Sequence, residues 1–160
     1  MKDFDLEKDR DNTKLLDQLI EKSVSVKARV VSADFRESFE REILNYGHTL
    51  GHAVERHSKY SLRHGEAISI GLVFAAHLSA SHCGLSSDAV TQHIELLTKL
   101  GLPTTYDRAA LPKLHAFMGI DKKSRGSTLR FVGLSSLGKT QRIEGLTIDD
   151  LAAAYEKISR

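Results

Sequence analysis

The sequence predicts a single, mainly α-helical domain carrying one small β-hairpin. Three observations point there. Apolar residues recur at helical spacing along most of the 160 residues. Glycine, serine and proline punctuate those stretches where helices start and stop. Strand-like text is confined to residues 129–134 and 141–143.

After a charged start, Leu15, Leu16, Leu19, Ile20, Val24 and Val31 mark a first helix over about residues 13–33, with Asp11 or Asn12 available as its N-cap. Lys27 falls inside that apolar stripe, beneath Ile20 and Val24, where a lysine either snorkels to solvent or meets an anion. A second helix carries residues 41–55. At about 100° of turn per residue, Arg41, Asn45, His48 and His52 share a sector of about 60°, with Ile43, Leu50 and Val54 opposite. Gly47 and Gly51 each cost such a helix about 1 kcal/mol against alanine, which implies a strip where another backbone or a ligand approaches closely. A third helix over about 65–81 is apolar on most sides through Ile68, Ile70, Leu72, Val73, Phe74 and Leu78, and is the expected buried centre. Gly84 ends it, Ser86 or Ser87 opens a fourth that runs through Lys99, and Gly101-Leu102-Pro103 breaks that one. A short helix over 111–118 leads into a polar loop, Asp121-Lys122-Lys123-Ser124-Arg125-Gly126. The hairpin turns at Leu137-Gly138-Lys139, and a helix over 148–158 capped by Thr147 closes the domain.

An apolar fraction of 41%, a charged fraction of 28% and a formal charge of +2 give no basic footprint for a nucleic-acid partner. Cys83 is the single cysteine, so no intrachain disulfide forms, which fits a reducing cytoplasm. The first residues are charged and lack the apolar segment of a signal peptide. The longest apolar run, residues 67–80, is interrupted by His77 and too short to span a bilayer. These features predict a cytoplasmic chain with no membrane partner.

Two histidines, an arginine and a carboxamide on one helical face are an unusual choice for a merely solvated surface. His48 and His52, one turn apart, could chelate a single metal. Thr49 occupies the place of the general-base glutamate in H-E-x-x-H, so peptidase chemistry lacks its base. His64 opens the third helix, where the positive end of the dipole disfavours imidazolium, and a neutral imidazole is what a metal binds. Glu66 and Glu55 read as a first-turn helix carboxylate and a surface residue, respectively.

The string Arg41-x-x-x-Asn45-x-Gly47-His48-Thr49-x-Gly51-His52-Ala53, followed by His64-Gly65-Glu66-Ala67, resembles the signature of the 3-dehydroquinate synthase family of sugar-phosphate cyclases. Lys27-Ala28 with Val30-Val31 upstream, and Gly101-Leu102-Pro103, Asp121-Lys122-Lys123 and Leu129-Arg130-Phe131 downstream, extend the resemblance from about residue 13 to the C-terminus. It covers the C-terminal half of that family and implies a dehydroquinate synthase-like helical fold. By resemblance His48 and His64 are ligands to zinc or another divalent metal, and the family's third ligand is a glutamate upstream of everything present here. His52, Arg41, Asn45 and Lys27 become catalytic, substrate-positioning residues. One of Lys122 and Lys123 joins them in substrate binding, and which of the two does so stays open.

For the whole enzyme the resemblance implies conversion of 3-deoxy-D-arabino-heptulosonate 7-phosphate to 3-dehydroquinate and phosphate in the shikimate pathway. It also implies zinc as Lewis acid, NAD⁺ on an N-terminal domain, and a possible homodimer. No G-x-G-x-x-G turn between a strand and a helix occurs in this chain. The expectation is therefore one metal- and substrate-binding domain over residues 1–160, without the NAD-binding domain and inactive alone. Another sugar-phosphate cyclase, a metal-dependent polyol dehydrogenase-like domain, and a self-contained zinc module on His48, His52 and His64 are the alternatives.

Overall fold

The structure, a computed structural model, describes residues 6–9, 11–33, 42–123 and 129–160. A single helical turn at Leu6–Asp9 precedes helix α1, Thr13–Ala33. Asn12 caps α1, its Oδ1 accepting from the Leu15 N–H at 3.1 Å, which satisfies one of the amides a helix start leaves free. The expected apolar stripe of α1 is uncovered. Leu16, Ile20, Val24 and Val26 stand exposed, Ile20 at 61%, and Val30 is the one buried residue of the helix among those described. Spacing creates such a stripe, but burial needs a second surface, which the described residues do not lay over it.

The helix expected over 41–55 is not continuous across its described part, residues 42–55. Ile43–Asn45 makes a 3-10 turn, Gly47 reverses the chain at φ +78°, and helix α2 begins only at His48, running His48–His57. The cause is the neighbouring helix α3, His64–His82. A Cβ on Gly47 would lie 2.8 Å from the Leu72 backbone nitrogen, and one on Gly51 3.2 Å from the Ile68 Cα. One on Gly71 would collide with the Gly47 carbonyl oxygen. The two helices thus meet backbone to backbone at three glycines, as the cost of Gly47 and Gly51 implied, and the left-handed Gly47 lets the chain swing past α3 before α2 starts. Asn45 consequently leaves the helical face it was expected to share with His48 and His52.

Helix α3 is the buried centre. Ala67, Ile70, Val73, Phe74 and Leu78 are all shielded, and Leu50, Val54, Leu114, Phe131, Leu151, Tyr155 and Ile158 pack in the same cluster, while Ala76 is buried with Leu85, Ala89, Val90 and Leu134. A polar link inward is made by Ser79, whose Oγ donates to the Ala75 carbonyl at 2.6 Å and accepts from the Leu134 N–H at 2.9 Å. That pair sews the hairpin to α3. Helix α4, Ser87–Lys99, starts under the Ser86 cap. Helix α5 spans Leu111–Lys123 and carries the backbone of Asp121, Lys122 and Lys123, which were expected in a loop after residue 118. The single Gly119 costs a helix about 1 kcal/mol, too little to end it.

Strands β1, Phe131–Ser136, and β2, Lys139–Ile143, pair antiparallel with Phe131 opposite Ile143 and Gly133 opposite Gln141. Helix α6, Ile148–Glu156, is capped by a reciprocal Thr147–Asp150 pair. No helix among the described residues is long and apolar enough to cross a membrane.

Candidate metal centre

The glycine contact determines what the site contains. With α2 and α3 locked together, His48 and His52 on α2 meet His64 at the first position of α3. Their ring centroids are 5.3 Å apart for His48 and His52, 5.6 Å for His48 and His64, and 5.9 Å for His52 and His64. Three imidazoles therefore form a nearly equilateral triangle, with His48 half-buried and the other two exposed.

Hydrogen bonds decide which ring nitrogens are free. His48 Nδ1 donates to the Tyr46 carbonyl at 3.1 Å, and His64 Nδ1 donates to Glu55 Oε1 at 3.0 Å. Carbonyl and carboxylate oxygens only accept, so Nδ1 carries a proton in both rings, and in the neutral ring Nε2 then keeps its lone pair, the form a divalent ion binds. Burial holds His48 below the usual imidazole range; the neighbouring His52 and His64 rings reinforce this and the Tyr46 hydrogen bond opposes it. A neutral, half-buried imidazole with a free Nε2 beside two others fits a divalent metal. The ligating atoms of His52, Glu55 and His64 lie within 4.8 Å of one another.

Glu55 was read from the sequence as a surface residue, yet its side chain is only 16% exposed and is bound to His64. The missed signal was spacing. Glu55 lies three residues after His52 and seven after His48, on the same side of α2. Glu66 behaves as expected, its carboxylate accepting from the Arg63 N–H at 2.7 Å in the first turn of α3.

A cleft of about 650 Å³ opens beside His48, lined by Lys22, Ser23, Val26 and Lys27 of α1 and by Leu44 and Asn45 of the 3-10 turn. Lys27 and Asn45 are thus brought to one metal-side imidazole although neither shares its helix. Lys22 supplies a second ammonium that the sequence reading omitted. Thr49, in the place of the protease glutamate, donates to the Arg130 carbonyl at 3.3 Å and so ties α2 to the hairpin. Glu42, just ahead of the 3-10 turn, accepts two hydrogen bonds from the Arg142 guanidinium of β2, at 3.0 and 2.8 Å. Arg41 lies outside the described residues, as do the side chains of Lys122 and Lys123.

Residues 3–124 match the family described as 3-dehydroquinate synthase C-terminal. The 3-dehydroquinate synthase of Mycolicibacterium gilvum is 53% identical over 146 residues, which cover 91% of this chain and 41% of that protein. For the 3-dehydroquinate synthase of Nocardia farcinica the identity is 51% over 146 residues, covering 91% and 39%. The chain spans about two fifths of the length of these relatives. Among solved structures, 2-deoxy-scyllo-inosose synthase complexed with carbaglucose-6-phosphate, NAD⁺ and Co²⁺ superposes with a TM-score of 0.75 at 26% identity, over 90% of this chain and 41% of that one. The 2-epi-5-epi-valiolone synthase of Streptomyces hygroscopicus subsp. jinggangensis, with NAD⁺ and Zn²⁺ bound, gives 0.78 at 18% identity over 88% of this chain and 39% of that one, a likeness of fold alone.

Proposed function

Because this chain belongs to the 3-dehydroquinate synthase C-terminal family, we propose that it is the metal- and substrate-binding part of an enzyme that converts 3-deoxy-D-arabino-heptulosonate 7-phosphate to 3-dehydroquinate and phosphate in the shikimate pathway. The observation that carries this is the triangle of His48, His52 and His64 opening beside a cleft lined by Lys27 and Asn45. His48 and His64 would hold Zn²⁺ or another divalent ion through Nε2, with a glutamate from the remainder of the enzyme as third ligand. Such an ion supplies Lewis-acid polarisation of a substrate oxygen when bound.

The other roles belong to the chain's own side chains. A phosphorylated keto sugar acid carries a phosphate and a carboxylate. The ammonium groups of Lys27 and Lys22 would neutralise one, a guanidinium such as that of Arg41 suits the other, and the Asn45 carboxamide would orient hydroxyls. Lys122 or Lys123 adds a further cation. His52, exposed and edge-on to His48, positions the substrate or assists proton movement. NAD⁺ would be held by an N-terminal domain, and the full-length enzyme would work in the cytoplasm as a homodimer. The molecules named for 2-deoxy-scyllo-inosose synthase, NAD⁺, Co²⁺ and carbaglucose-6-phosphate, support a divalent metal, a dinucleotide and a sugar phosphate as the ligands of such an enzyme.

A second reading has one observation in its favour. The proximity of His52, Glu55 and His64 suits a self-contained metal site with no need of an outside glutamate. A Zn²⁺ titration of the chain by calorimetry at neutral pH, with His48→Ala and His52→Ala beside it, separates the two. The cyclase reading expects weak binding that depends on His48 and ignores His52. Tight stoichiometric binding that survives His48→Ala and is lost in His52→Ala would overturn it.

A further inference from the structure

We propose that Glu55 is a positioning residue of the metal centre, fixing His64 as its Nδ1–H tautomer and thereby presenting Nε2 to the ion. The inference rests on the metal reading above. His64 stands at the open start of α3 with its side chain 59% exposed, so packing alone cannot hold its ring. The group it touches is the opposite case. Glu55 is 16% exposed and lies on the same side of α2 as His48, so its carboxylate is a sheltered anchor on the helix that carries the other ligand. The 3.0 Å bond from His64 Nδ1 crosses from α3 to α2 and sets both tautomer and ring direction.

An unassisted neutral imidazole in water favours the proton on Nε2, the nitrogen a metal needs free. His48 avoids this through the Tyr46 carbonyl, a main-chain acceptor. Among the described residues His64 Nδ1 is paired with Glu55 instead. The carboxylate also places negative charge one hydrogen bond behind the ligand ring, which two neutral imidazoles do not. Direct ligation by Glu55 is the competing role, because its oxygen lies near His52 and His64. In that role either Oε1 would release the His64 proton that now occupies it or Oε2 would take the ion.

The test uses the chain labelled with ¹⁵N-histidine. Long-range ¹H–¹⁵N spectra of the metal-free chain report which His64 nitrogen carries the proton, and competition against a chromophoric chelator reports Zn²⁺ affinity. Glu55→Ala is expected to move His64 toward the Nε2–H tautomer and to weaken Zn²⁺ binding about 10- to 100-fold. Glu55→Gln, whose amide oxygen still accepts, should keep the Nδ1–H signal and most of the affinity. An unchanged His64 tautomer in Glu55→Ala overturns the proposal. Equal loss of affinity in both variants with the tautomer intact also overturns it and makes Glu55 a ligand. Zn²⁺ binding indifferent to both His48→Ala and His64→Ala would sink the metal reading instead, while the tautomer comparison would still decide whether Glu55 sets His64.

Discussion

His77 of α3 has a buried Nε2 with no hydrogen-bond partner. Burial, and secondarily the nearby Lys157 ammonium, holds its pKa below the usual value, and burial does the same to His48. In the unfolded chain both rings protonate near the ordinary value of about 6.5. As pH falls through that value the unfolded state takes up protons that the folded state refuses. Stability is therefore fully present above about 6.5 and declines on acidification toward the lower, folded values. The urea midpoint should fall between about pH 7.5 and about pH 5.5, and His77→Gln should flatten the fall. Parallel curves for the two chains would show that His77 takes no part. None of this was legible in the sequence, where His77 was only an interruption in an apolar run. For Glu55 the spacing to His48 and His52 was legible but its partner was not, because the His64 ring it binds arrives from another helix.

Between elements, the decisive contact is that of α2 with α3. A Cβ at Gly71 would meet the Gly47 carbonyl oxygen and the Gly51 amide nitrogen, both main chain and unable to move aside. Gly71→Ala should therefore destabilise by about 3 kcal/mol or more and lower Zn²⁺ affinity, since it pushes His64 away from His48. Gly119→Ala serves as the counterpart, in a helix and facing open space. There the helix propensity of alanine should stabilise by up to about 1 kcal/mol, and urea denaturation of the two variants should shift in opposite directions. The sequence announced that Gly47 and Gly51 attend a close approach, but not which backbone approaches, because Gly71 lies far along the chain. For the same reason the 41–55 helix was drawn whole: a wheel projected at 100° per residue assumes continuity, and Gly47 interrupts it. The helices with clear caps, α1, α4 and α6, were legible almost to the residue, since Asn12, Ser86 and Thr147 mark their starts with local chemistry.

For the molecule as a whole, the family signature named the candidate site residues and the chain's own physics made the helical fold readable. The cleft belonged to neither. It exists because α1 passes the 3-10 turn, a tertiary fact that no spacing announces. The cyclase reading predicts that this chain alone releases no phosphate from the phosphorylated keto sugar acid, because the proposed dinucleotide site and third ligand lie in the part of the relatives it does not span. A phosphate-release assay on the purified chain checks this, and measurable turnover would overturn it. The same cleft has two walls of unequal firmness. Asn45 and His48 stand next to the α2–α3 core, whose amides should exchange with solvent only when the whole domain opens, whereas Lys22 and Lys27 ride on a helix with a bare apolar face and few buried side chains. A ligand that bridges the walls must quiet α1 as it binds, so part of its affinity is given up to ordering. Whatever steadies α1 beforehand will tighten that ligand without touching it.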